Sequence, residues 1–120
     1  QEFYDPRFDL LNHITDKTVV ISIAFARYTK WTYRYADSAK KMGATLVSIT
    51  DSVSSPFFNI SHYTILAAPV KDSMGFSSPI CMYCLFDAII SKIHDERKDM
   101  IVERLKQYED TYRDFDMYYE

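Results

Sequence analysis

Glycine is scarce in this chain of 120 residues, with only Gly43 and Gly75. That scarcity excludes glycine-rich nucleotide loops and the G-x-S-x-G nucleophile elbow. Cysteine is equally scarce: Cys81 and Cys84 cannot build a disulfide scaffold, and a reducing, cytoplasmic setting is the simpler expectation. No apolar run approaches the ~18 residues of a membrane span. No basic-then-apolar leader with a small-residue cleavage site is seen either. The chain opens on Gln1 rather than Met, so it reads as a piece of something longer. Surplus positive charge is also missing. The net charge is −3 and the pI is near 5.6, which fits a free-standing nucleic-acid binder poorly.

What is present is the composition of a packed domain: 48% apolar, 16% aromatic and 26% charged residues. The length suits one domain over 1–120, with 78–120 as a largely helical extension. Three segments read as strands. Thr18 to Phe25 is β-branched and almost uniformly apolar, Thr45 to Thr50 repeats the character, and Tyr63 to Ala68 is stopped by Pro69. Runs without polar alternation imply a parallel sheet covered on both faces, and the first, being the most apolar, is expected at its centre. Residues 26–44 carry Trp31, Tyr35, Ala39 and Met42 at helical spacing, with Gly43 as the stop. Ser55-Pro56 suits the start of a second, shorter helix. Two strand–helix–strand crossovers make an α/β fold. With only the short amphipathic helix Pro6–Ile14 before it, the first strand is left with a bare edge. A further part of the protein or another chain is expected to cover that edge.

Beyond Ser78-Pro79 the chain reads as helical to its end. From Ile80 to Ile93 apolar residues run nearly all the way round, which implies a helix buried on most sides, in the domain or against another subunit. Residues 94–120 hold nine acids against five bases. Within them Ile101, Leu105, Tyr108, Tyr112, Phe115 and Tyr119 form a heptad-like seam. It suits either a helix lying on its own domain or a dimer contact.

Ligands of open α/β sheets bind beyond the carboxyl ends of the strands. Thr50 and Asp51 end one strand there, and Asp51 suits helix capping equally well. Arg27 and Lys30 follow another strand and could serve an anion, with Tyr28 and Trp31 to stack on a ring; solvated surface and packing are the plainer alternatives. Ser55 reads first as a cap. Cys81-x-x-Cys84 has redox spacing, but no strand leads directly into it, and burial of small thiols is preferred. His13, His62 and His94 have no metal-ligand spacing and none falls at the crevice, so neither a metal nor an imidazole base is expected.

The run Val20 to Thr32 (VISIAFARYTKWT), then Gly43 to Asp51 (GATLVSITD), then Ser55-Pro56, resembles the sugar isomerase (SIS) domain in the version carried by RpiR-family bacterial transcription regulators. The likeness covers about residues 5–95. It implies a flavodoxin-like α/β domain, a parallel sheet flanked by helices, truncated here to about three strands with a long C-terminal helix. It also implies a dimer that takes a phosphosugar at the strand ends, without catalysis and without a cofactor, and meets DNA only through a helix-turn-helix domain not in this chain. The ligand-binding positions it implies are Ala24, Arg27, Tyr28, Thr29, Thr50, Asp51 and Ser55. Ala24 and Ala26 stand where the family often carries serine, and Thr29 keeps a hydroxyl at the third position. A sugar-phosphate isomerase and a dimerisation module with a decayed site are the competing readings.

Overall fold

The structure is a computed structural model that describes residues 5–116 and 119. Its contacts divide the chain into two compact units, one ending at Pro69 and the other beginning at Val70.

The first unit runs α1 (Pro6–Asn12), β1 (Val19–Ala24), α2 (Lys30–Lys41), β2 (Thr45–Thr50), α3 (Pro56–Ile60) and β3 (Tyr63–Leu66). Local chemistry sets the boundaries. Asp5, Thr29 and Ser55 each cap a helix by accepting a backbone N–H two or three residues on, and Pro6 and Pro56 occupy first-turn positions where a missing N–H costs nothing. Helix α2 ends at Lys41, and the chain leaves it through Gly43, whose φ of +111° is the left-handed conformation that side chains resist.

The three strands form one parallel sheet in the order β1-β2-β3, with Ile21, Val47 and Tyr63 in one row and Ser22, Ser48 and Thr64 in the next. The central strand is therefore β2, not β1 as the apolar ranking suggests. Each crossover adds its strand on the same side of the last, so the middle strand in sequence is the middle strand in space. Leu46, Ser48, Ile49 and Thr50 of β2 are fully buried. Both-face coverage also fails for β1. Ala24 and Leu46 pack with Ala36 of α2 and Phe57 of α3, backed by Val20, Tyr28, Tyr33 and Ile60. On the opposite face Val19, Ile21 and Tyr63 stay exposed. Beneath the helices runs a buried set of hydroxyls: Ser22 Oγ lies 2.6 Å from Ser48 Oγ, and the Ser61 hydroxyl donates to Ser48.

The second unit holds a short antiparallel pair, β4 (Val70–Lys71) and β5 (Ser77–Ser78), then α4 (Ile80–Glu96) and α5 (Lys98–Asp114). The hairpin is an element that reading for helix alone passes over. Its turn is organised by Asp72, whose carboxylate accepts the N–H groups of Met74 and Phe76, and by Gly75 at φ +85°. In place of one long helix there are two of 17 residues, parted at Arg97, whose ψ of 24° leaves the helical range. Pro79 is the cap of α4 rather than its first residue. Helix α5 ends before Phe115, with Asp116 at φ +50°, so the aromatic seam outruns its helix and Tyr119 lies outside it. No residue of α4 or α5 is fully buried. The all-round apolar run of α4 is thus not sealed among the described residues.

Candidate functional site

The carboxyl ends of β1 and β2 lie side by side, with Ala24 paired to Thr50. The loop 25–29 then carries the chain from β1 into α2. Its shape is fixed by Asp51, the first residue after β2. One carboxylate oxygen accepts the Ala26 N–H at 3.0 Å and the other accepts the Tyr28 hydroxyl at 2.5 Å. Asp51 caps no helix; it ties the first loop to the second. Its partial burial raises its pKa, but the hydrogen bonds from Tyr28 and the Ala26 N–H outweigh this and hold the carboxyl below its ordinary range. The same bond to Asp51 pushes the Tyr28 phenol up, because losing its proton would set two anions together.

A second layer lies underneath. Thr50 Oγ1 donates to the Ala24 carbonyl at 2.7 Å and sits 2.8 Å from Ser55 Oγ, which accepts the Phe57 N–H. Thr50 and Ser55 are fully buried and Ala24 nearly so. These three of the sequence-derived site residues form the floor that holds the two loops together.

Above it opens a cavity of about 240 Å³ lined by Tyr28, Thr29, Lys30, Tyr33, Arg34 and Pro56. Tyr28 and Thr29 are both legible in the sequence, and Lys30 reads there as a cation suited to an anion. Tyr33 and Arg34 are site residues that sequence reasoning misses. Their signal is spacing: each follows Thr29 or Lys30 by four residues, which brings it to the same helical face. The two tyrosines are braced from behind by Phe57, with ring centroids 6.2 Å and 5.6 Å away. Thr29 is occupied as a cap, its hydroxyl 2.6 Å from that of Thr32. Arg27 is exposed and outside the cavity lining. Trp31 turns away, stacked on Tyr35 at 5.1 Å with the Arg7 guanidinium 4.6 Å over its ring; it packs against α1, outside the lining of this cavity.

The arrangement offers two cationic side chains one turn apart, aromatic walls, and a helix start whose dipole favours negative charge. Neither a carboxylate nor an imidazole lines the cavity, and among the described residues no cluster of ligands could hold a metal ion. The histidines lie elsewhere: His62, for example, accepts the Leu46 N–H through Nδ1 at the opposite, amino end of the sheet.

The family model of the SIS domain matches residues 4–92. No curated protein matches the chain. Among solved structures, the sugar isomerase domain of an RpiR transcription factor from Sphaerobacter thermophilus aligns with a TM-score of 0.75 at 18% identity. The alignment covers 91% of this chain and 60% of that one, so the chain spans under two thirds of its length. At that identity the likeness speaks for the fold.

Proposed function

Because this chain belongs to the SIS domain family, we propose that it is the effector-sensing and dimerisation part of an RpiR-type regulator, binding a small phosphosugar-like anion in the cavity beside α2. The observation that carries the reading is the pair Lys30 and Arg34. Both line the cavity, and neither side chain has a hydrogen bond or ion pair among the described residues. Cations held beside aromatic rings at the carboxyl end of a parallel sheet suit a ring bearing phosphate.

Regulation by such a domain is linkage. An effector shifts the balance between two dimer geometries only by its difference in affinity for them, and attached DNA-binding domains outside this chain would read the shift. The exposed apolar positions of α4 and the seam of α5 support a homodimer. No helix among the described residues is long and apolar enough to cross a membrane, and two free thiols fit a cytoplasmic setting. An isomerase would have to move a proton beside a carbonyl, and that activity is the competing reading.

A thermal-shift and calorimetric panel of sugar phosphates, with the unphosphorylated sugars as controls, tests the reading. A bound effector at a hundred times its Kd should stabilise the fold by about 2.7 kcal/mol, with the effect roughly halved in Arg34→Ala. Silence across the panel would leave a dimerisation module with a decayed site. Turnover of any phosphosugar would establish the isomerase.

A further inference from the structure

Anion binding at this site is the premise, and it leaves open which groups hold the charge. The loop 25–29 is the obvious place, yet its hydroxyls and the Ala26 N–H are already engaged. The Ala26 N–H and the Tyr28 hydroxyl go to the two oxygens of Asp51. The Thr29 hydroxyl is shared with Thr32. Ala24 and Ala26 bring only methyl groups there. An incoming phosphate would compete with a carboxylate that has both partners in place, and the two anions would repel at short range. The cavity takes in only the far end of the loop, Tyr28 and Thr29. Its lining starts at Tyr28 and climbs α2 to Arg34, leaving out Ala24, Arg27 and Asp51.

We propose that Asp51 is the built-in anion of the loop, and that the ligand's charged group is held instead by Lys30 and Arg34, with its ring between Tyr28 and Tyr33. Residues four apart on a helix share a face. A guanidinium presents paired N–H donors to phosphate, while an ammonium supplies a point charge. The tyrosine walls are fixed by Phe57, so the pocket selects by shape. Its volume of about 240 Å³ lies below the ~300–1,000 Å³ typical of drug-sized ligands. The ligand class that suits it is a single small ring carrying one anionic group. Asp51 becomes a specificity residue: it keeps the loop closed to phosphate and sends the anion up the helix.

Titration of the full chain with inorganic phosphate, monitored by amide NMR and calorimetry, tests this. In the wild type the amides around Lys30 and Arg34 should move while the Ala26 amide stays still. Arg34→Ala should weaken binding about tenfold, the loss of one charge-assisted contact. In Asp51→Ala the freed Ala26 amide should respond to phosphate. Should that variant not fold, Asp51→Asn keeps the shape without the charge and should bind phosphate at least about threefold more tightly, as expected for removing a like charge nearby. An Ala26 amide that responds to phosphate in the wild type, with Arg34→Ala still impaired, overturns this placement and leaves the anion reading standing. An unmoved Ala26 amide in folded Asp51→Ala, or no gain in Asp51→Asn, also overturns it. Failure of phosphate to bind the wild type and both Asp51 variants overturns the anion reading as well.

Discussion

The two units of this chain spend apolar residues in opposite ways. In the first, a few are sealed completely: Ala36, Ala39, Leu46, Ile49 and Phe57 lie between sheet and helices or within the sheet. In the second, a comparable supply sits on α4 and α5 and none is fully buried. The difference is topological. A crossover helix is pulled down onto the sheet it connects, whereas two consecutive helices parted at Arg97 have no strand between them to do so. Apolar content alone does not distinguish a residue that stabilises its own domain from one kept for another surface. Burial does.

Substitution offers the sharpest contrast. Phe57→Ala, at 0% exposure and in contact with both site tyrosines, should cost about 3–5 kcal/mol. Ile90→Ala in α4, at 49% exposure, should cost under about 1 kcal/mol in the isolated monomer, since little apolar surface leaves water there. Urea denaturation of the two variants measures both. Equal losses would mean that the second unit is sealed as firmly as the first. Next in size come the two glycines. Gly43→Ala meets no atom closer than 3.9 Å, so its penalty is backbone strain alone, about 1–2 kcal/mol, read as a lower thermal midpoint. Gly75→Ala puts the same kind of strain into a hairpin of two-residue strands and should barely move the global midpoint.

The smallest effect concerns pH. The pKa of Asp51 is depressed in the fold, so its contribution is fully present above the ordinary carboxylate range near 3.9 and disappears as pH falls through the lowered value. The pKa of Tyr28 is raised, so its contribution holds below about 10 and is lost as pH climbs through the raised value. Melts across pH should show the gap between wild type and Asp51→Asn constant from about pH 5 to 9 and narrowing at both extremes. A gap of constant size at pH 2 would contradict the anchoring role of the carboxylate.

Much of the first unit is legible in the sequence because local chemistry and tertiary structure agree there. The expected strand Thr45–Thr50 has the observed bounds, Ser55 caps α3, and Gly43 ends the reach of α2. Two things are not legible, for definite reasons. Strand order depends on the direction in which crossovers step, and hydrophobicity carries no record of that; β1 has the composition of a central strand and lies at an edge. The site is half visible. Thr50, Asp51 and Ser55 sit at the strand ends as expected, but hydroxyls and carboxylates can satisfy one another as readily as a ligand, and only coordinates reveal that these do. Tyr33 and Arg34 emerge only when the helical period is extended one turn past Thr29 and Lys30. In the second unit the β4–β5 turn is written in Asp72 and Gly75, overshadowed by the apolar stretch after it.

The hydroxyl chain of Ser22, Ser48 and Ser61 also governs how the strands align. Were β1 to slide one residue along β2, Ser22 would swing to the opposite side and an isoleucine would arrive against Ser48, stripping a buried oxygen of its partner while a second was stranded. Greasy strands alone tolerate such sliding, because one aliphatic side chain substitutes passably for another. Three interlocked serines do not, so they work as a key that admits a single alignment, and with it the one alignment that sets Ala24 beside Thr50.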